Sequence, residues 1–414
     1  FPTRRSSDLI VHCGRSKTGT SSLQASLGRS SESLQQCGIL YYTGKFSNHN
    51  PLAKLVGKKG RPTEGESEAQ IEQARQLVSE IQERMSGGRF CCLLLSAEYM
   101  ENFSAEQFHD LMDLLQIDFD SVSVLMYIRS PHAMYLSRMQ QKIKADHLLL
   151  KPCAYRDDTL ECIDNWTRTV GADNLNVRLF APGRLHGGDI VADFQGVLNE
   201  QFNFGIAGLT STRENATLSS ESVAALQQFR TICCSAHPRT FLNSSNHLIK
   251  TLFEIETESQ YRFSKPCLRD EVIAEIYKNN ADVVEAVDRR YPCLEFSKHC
   301  LADLNNIEGQ PSNSSGIIDS QKFEDIVKEL DRQTLEALPY IALNKAINDY
   351  LNIKKKGLLL KKLRAQVKSL QARHAALKQE KQETVQATDD SGHIALFKRV
   401  NGVLRRLAGK IRNG

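Results

Sequence analysis

The 414-residue chain contains no apolar run approaching the roughly 18 residues that a membrane-spanning helix needs. It also lacks any Cys-x-x-Cys spacing. Its 11 cysteines are odd in number and thinly spread, with Cys91-Cys92 and Cys233-Cys234 as adjacent pairs. That argues against a zinc site and provides no disulfide framework, so reduced, mostly buried thiols in a cytoplasmic protein are expected. Aromatic residues make up only 7%, with one tryptophan, Trp166, expected in the core. Nowhere do aromatic and basic residues interleave as in a nucleic-acid reader, so no nucleic-acid partner is expected. No repeat of domain size is visible. What remains, 41% hydrophobic and 25% charged residues, is the composition of a globular protein large enough to bury a substantial core.

The net charge of +4 conceals a split. Residues 350–414 hold 16 Lys/Arg against 4 Asp/Glu, a net of +12, which leaves the rest of the chain at −8. An acidic body therefore carries a basic tail. At the other end, Phe1-Pro2-Thr3-Arg4-Arg5-Ser6-Ser7-Asp8-Leu9 back-translates to a common short-read sequencing adapter. Residues 1–8 are accordingly read as an assembly artefact, with the natural N-terminus expected to be missing.

Hydrophobic patterning places short buried strands at Leu9–Cys13, Cys91–Leu95, Val122–Ile128 and Asn176–Phe180. Helical spacing falls between them: from near Ser22, over 64–86, over Ser104–Leu115, after Pro131, and over Gly188–Leu198. Strands alternating with helices predict an α/β protein with a central parallel sheet flanked by helices. Beyond about residue 205 the strand signals fade, and a helix is expected from Leu218, capped by Ser219 or Ser220. Residues 309–316 read as a linker. Leu360, Leu363, Val367, Leu370 and Leu377 recur at 3,4 spacing, as in a short coiled coil, and 394–412 form a basic amphipathic segment.

The chemistry begins at Gly14-Arg15-Ser16-Lys17-Thr18-Gly19-Thr20-Ser21-Ser22, between the first strand and the first helix. Such a loop offers backbone N–H groups, hydroxyls and one ammonium to an anion. It is not the GxxxxGK[ST] loop of nucleoside triphosphatases: Gly14 and Gly19 are correctly separated, but Thr20 replaces the lysine. The Val122–Ile128 strand ends in Arg129, where a magnesium-binding carboxylate would be needed. An arginine there favours a second anion over a metal, and Ser137, eight residues on, can share that anion.

Lys17-Thr18-Gly19-Thr20-Ser21-Ser22-Leu23 resembles the 5′-phosphosulfate loop of sulfotransferases that use 3′-phosphoadenosine 5′-phosphosulfate (PAPS). Val124–Pro131, followed by Tyr135-Leu136-Ser137, is similar to the 3′-phosphate segment of that family, although Ser130 stands where Asp or Asn is frequent. Arg178-Leu179-Phe180 through Gly187–Phe194, and Asn215–Ser219, resemble segments of bacterial members that act on carbohydrates. The resemblance covers roughly residues 9–235. It implies a P-loop-like sulfotransferase fold, expected over 9–305; composition and spacing give a linker and helical segment over 306–350 and a basic helical or coiled-coil tail over 351–414. It implies PAPS as donor, no metal, and a carbohydrate or other hydroxyl- or amine-bearing acceptor. Gly14 to Ser22, Arg129 and Ser137 would hold the donor, with Lys17 stabilising the leaving phosphate.

The acceptor must lose a proton, and a base is sought among Glu98, after the second predicted strand, and His49, in Asn48-His49-Asn50-Pro51; His12, His132 and His147 remain further candidates. Two other functions stay open, a P-loop kinase-like phosphotransferase and an inactive nucleotide-binding scaffold. For the tail, a solvated helix, self-association into a homo-oligomer, and peripheral contact of 394–412 with anionic lipid or acidic glycan are all compatible with the pattern, so the cytoplasmic expectation includes membrane association. The N-x-[ST] triplets at Asn102, Asn165, Asn215, Asn243 and Asn313 are read as chance matches.

Overall fold

The computed structural model describes residues 7–15, 17–57, 68–181, 183–210, 217–233, 242–258, 261–302, 315–354, 367–369 and 372, with side chains omitted at 242–245, 315–316 and 348–354. Ser16, Asn215, residues 1–6, the linker over 309–314, and nearly all of the tail, including 394–412, lie outside the described residues. The chain divides into two compact units. The first comprises residues up to Arg138, Lys151–Thr217 and Leu268–Asp319; the second comprises Met139–Leu150, Leu218–Cys267 and residues from Ser320 onward.

The first unit is an α/β layer structure built on five parallel strands: β1 (Asp8–His12), β2 (Ile39–Leu40), β3 (Cys92–Ser96), β4 (Ser121–Ile128) and β5 (Leu175–Leu179), in the order β2-β3-β1-β4-β5. The four predicted strands are present within a residue of their expected positions. Ile39–Leu40 was not expected, because two residues carry no period. Asp8, assigned to the artefact, is the first residue of β1, in register with Cys92 and Ser121, and its carboxylate accepts the Ser121 hydroxyl at 2.6 Å.

Among the described residues before 205 the α-helices are α1 (Thr20–Arg29), α2 (Ser31–Gln36), α3 (Asn50–Gly57), α4 (Glu68–Ser86), α5 (Ala105–Leu115), α6 (Pro131–Ile143), α7 (Thr159–Val170) and α8 (Ile190–Phe202). The strand residues alternate between two cores, as the pleat requires. Leu9, Val11, Leu93, Leu95, Val124, Met126, Val177 and Leu179 pack with Leu77 and Ile81 of α4, Phe108 and Leu111 of α5, and Ile163 and Trp166 of α7. Ile10, Leu94, Leu125 and Tyr127 pack on the opposite face with Leu23 and Leu27 of α1 and Phe194 and Leu198 of α8. Trp166 is fully buried, its indole N–H donating to the Met100 carbonyl at 3.1 Å, as the core expectation requires.

Local capping explains several boundaries. The Ser104 hydroxyl and Gln107 amide form a reciprocal capping box at the start of α5. Asp189 accepts from the Val191 and Ala192 N–H groups to open α8. In the same helix the buried Asp193 carboxylate receives the Arg178 guanidinium at 2.6 and 2.7 Å, the Tyr127 hydroxyl at 2.8 Å and the His186 N–H at 3.0 Å. The Gly187–Phe194 stretch therefore fastens α8 beneath β4 and β5.

The second unit is helical in its described parts. It includes Ser220–Cys233, Leu242–Glu258 and Arg332–Lys354. Ser219 caps the first of these, accepting from the Ser222 N–H at 3.1 Å. The fully buried Glu221 carboxylate receives the Ser264 and Asp331 N–H groups, joining three segments. Among the described residues, no helix is long and apolar enough to cross a membrane.

Removing the Phe194 ring leaves a cavity under β1 and β4. Phe194→Ala is expected to cost about 3–5 kcal/mol, read from urea unfolding of the first unit with Trp166 fluorescence as the reporter. An unchanged midpoint would contradict the packing described.

Candidate functional site

Strand order reverses at β1: the chain leaves it for β2 and β3 on one side and returns to β4 on the other. In open parallel sheets that switch point, at the carboxyl ends of the strands, is where a crevice forms. Every charged group expected to do chemistry is carried on these ends: the 13–19 loop after β1, Glu98 after β3 and Arg129 after β4.

The loop is held in an unusual shape. Lys17 has φ +62° and Gly19 φ +76°. A left-handed conformation is open to glycine but costly for lysine. The Arg129 guanidinium donates to the Lys17 carbonyl at 3.0 Å, and the Thr18 hydroxyl and N–H both bind the Arg15 carbonyl. Gly19 lies against Phe180 and Ile190; a Cβ there would come 3.0 Å from each. At Gly14 a Cβ would sit 1.9 Å from the Thr20 methyl, so both glycines are required by space. The loop then opens α1 at the switch point, with no side-chain cap on the N-terminus of the helix.

Lys17 and Arg129 are brought together. Burial holds the Lys17 ammonium below its usual pKa; Glu98 opposes that shift and Arg129 reinforces it. Burial likewise lowers Arg129, whose guanidinium lies 5.5 Å from the centroid of the Phe180 ring and faces no carboxylate among the described residues. The Ser137 hydroxyl is buried in α6 without a hydrogen-bond partner among the described residues. Glu98 joins the cluster by accepting the Thr20 hydroxyl. Ser21 is exposed and Ser22 half-buried in the first turn of α1. Together these features suit a ligand carrying more than one anionic group. Among the described residues no group of three or more His, Cys, Asp or Glu side chains gathers as a metal site would require.

Two expectations need correction. Arg15, expected to bind the donor, is committed inside the fold. Its side chain is fully buried and binds the Asp158 carboxylate and the Thr159 hydroxyl, with Asp157 and Glu101 at 3.8 and 3.7 Å. Burial alone would lower its pKa, but the surrounding carboxylates reverse that and raise it. Asp158 also takes two 2.7 Å bonds from Arg138 of α6, one residue beyond Ser137. Arg15 thus anchors the loop to the start of α7, and Asp158 ties both to α6. Nothing local in the sequence signals this pairing, since the partners are 143 residues apart.

His49 is the second correction. It is fully buried, and both ring nitrogens are committed. The Ser96 N–H donates to Nδ1 at 3.0 Å, which makes Nδ1 the acceptor and leaves Nε2–H to donate to the Tyr42 carbonyl at 3.0 Å. Burial pushes its pKa down to about 4. A neutral, inaccessible imidazole with no lone pair to spare fastens the loop to β3 and is not placed to take a proton from an acceptor. His12 is also buried, with Nδ1 2.8 Å from the Ser96 hydroxyl and its pKa lowered to about 3 by burial. His132 lies 3.1 Å from the Ser130 hydroxyl, and His147 belongs to the second unit. Glu98 accepts the Thr20 hydroxyl at the start of α1, directly after the 13–19 loop.

No protein-family model, curated protein or solved structure matches the chain.

The buried histidines make stability pH-dependent. Each is neutral when folded and takes a proton near its ordinary pKa of 6.5 when unfolded. Between pH 6.5 and 4 the unfolded state binds more protons, so each histidine removes up to about 1.4 kcal/mol of stability per pH unit on acidification. His49→Gln is expected to flatten the dependence of unfolding free energy on pH over that window by about that slope. A parallel profile would show His49 to be solvated. Asp158→Ala, which leaves Arg15 buried without its nearest carboxylate, is expected to cost about 3–5 kcal/mol in the same unfolding assay.

Proposed function

We propose that the protein is a sulfotransferase that uses PAPS to modify a hydroxyl, or an amine, of a carbohydrate acceptor. The observation that carries this reading is Arg129: a largely buried guanidinium with no carboxylate partner among the described residues, held against the backbone of Lys17. Burying such a charge is costly unless an anion compensates it. A second cation, Lys17, and the open end of α1 stand beside it, and the buried hydroxyl of Ser137 is available to the same ligand. The likeness of both motifs to the PAPS-binding segments supports the choice of anion.

PAPS supplies the sulfuryl group: an acceptor oxygen bonds to sulfur as the bond from sulfur to the 5′-phosphate oxygen breaks, and that oxygen leaves with the electron pair. Lys17 places its ammonium where the leaving oxygen gains charge, and the N–H groups at the start of α1, with Thr18 and Thr20, hold the phosphate. Arg129 and Ser137 take the 3′-phosphate, a group that ordinary adenine nucleotides lack. Glu98 accepts the proton of the acceptor hydroxyl, completing the balance of charge. Its bond from Thr20 keeps it beside the loop.

Lys17→Ala is expected to lower transfer of radiolabel from PAPS to a glycan panel by about 10²–10³-fold while leaving the thermal melt unchanged. Full turnover by that variant would sink the mechanism. In calorimetry, 3′-phosphoadenosine 5′-phosphate (PAP) should bind in preference to ATP with magnesium. Arg129→Ala should weaken PAP roughly 10–100-fold with little effect on 5′-AMP. Preference for ATP with magnesium would favour phosphoryl transfer instead. Glu98→Gln should slow single-turnover transfer without weakening PAP.

A further inference from the structure

A cavity of about 300 Å³ opens in the first unit on the β2–β3 side of the sheet. Its lining includes Asn48, Asn50, Lys54, Gln70, Tyr99 and Phe46. That volume is at the lower end of the roughly 300–1,000 Å³ typical of small-ligand sites, enough for a ring or two. Tyr99 is the most exposed large hydrophobic residue of the described chain, at 56%. The Lys54 ammonium lies 5.6 Å from its ring centroid. No carboxylate lines the cavity among the described residues.

The rim is pre-built and connected to the chemistry. The Asn48 amide oxygen accepts the Asn50 N–H at 3.0 Å, and its amide nitrogen donates to Gln24 of α1 at 3.3 Å. Gln24 in turn donates to the Ser96 hydroxyl at 3.1 Å, at the end of β3. The Asn50 oxygen accepts the Tyr99 N–H at 3.1 Å. Tyr99 directly follows Glu98 in a single turn of 3₁₀ helix, Glu98–Met100. One hydrogen-bonded chain therefore runs from the helix that carries the phosphate loop, through the two asparagines, to the residue next to Glu98.

An exposed aromatic ring beside fixed amides is the set of groups that recognises a sugar: the apolar face of a pyranose covers an aromatic ring, while its rim hydroxyls need amide donors and acceptors. We propose that this cavity is the acceptor subsite, and that it takes a pyranose ring of a saccharide against Tyr99 with the reacting hydroxyl turned toward Glu98. The assignment of the cavity as an acceptor subsite rests on the sulfuryl-transfer reading; its affinity for saccharide does not.

The test uses the full chain, without donor, in saturation-transfer difference NMR with three unsulfated probes: a heparosan tetrasaccharide, a chondroitin tetrasaccharide and N-acetyllactosamine. PAP binding is followed in parallel by calorimetry. At least one probe is expected to bind. Tyr99→Ala should weaken it about tenfold or more, Tyr99→Phe should retain it, and PAP affinity should be unchanged in both variants, which also reports that they are folded. Saccharide binding that survives Tyr99→Ala, or binding of none of the three probes, overturns the proposal. If saccharide binds in a Tyr99-dependent manner while the wild-type chain fails to bind PAP, the saccharide site stands and the donor assignment falls.

Discussion

A 3.0 Å hydrogen bond from the Arg129 guanidinium to the Lys17 carbonyl joins two strand ends that lie 112 residues apart in sequence. It satisfies a carbonyl that the left-handed turn at Lys17 directs away from the regular backbone, and it fixes the side of the loop on which two cations meet. Like charges at short range repel, and burial makes each more expensive. The arrangement persists because the surrounding fold over-determines it: Gly14 and Gly19 admit no side chain, Phe180 lies against Gly19 and under Arg129, and Arg15 anchors the loop from below. Electrostatic cost at a strand edge, met by packing elsewhere, is the pattern expected where a protein waits for an anion.

Two arginines with opposite roles clarify how the site is built. Arg15 is surrounded by Asp157, Asp158 and Glu101, so its charge is compensated within the fold and serves to position. Arg129 has no such company among the described residues. Chemically identical side chains thus differ, one with its charge compensated inside the fold and the other not, according to their neighbours. Asp158, shared between Arg15 and Arg138, gives the 13–19 loop and α6 a common reference point, one residue from Ser137.

The fold was largely legible because buried parallel strands are short, continuous apolar runs bounded by polar loops, and four of the five stand out on that basis. β2 was not legible: Ile39–Leu40 is too short to show a period and is recognised only through its pairing with β3. The positions of the 13–19 loop, Arg129 and Glu98 were readable because each follows directly from a strand end. Arg15 was misplaced because sequence order says nothing about which way a side chain turns, and its partners arrive from the start of a distant helix. His49 was misplaced for a related reason. Its loop is polar, with asparagines on both sides, but its own backbone N–H reaches the Ser96 carbonyl at 2.9 Å while its ring receives the Ser96 N–H. It behaves as an added rung on β3. Tyr99 and Lys54, from separate elements, carry no motif at all.

The central place of β1 has a consequence for the birth of the protein. Both of its neighbours come late: Asp8 pairs with Cys92 on one side and Ser121 on the other. At a ribosomal pace of roughly 5–20 residues per second, the fourth strand emerges about 6–20 s after the first. Until β3 emerges, Leu9, Ile10 and Val11 have no ladder to join, and only with β4 is β1 paired on both sides. The strand at the centre of the sheet is therefore the one that most needs shielding during synthesis, and the order in which the chain is made works against the order in which the sheet is assembled.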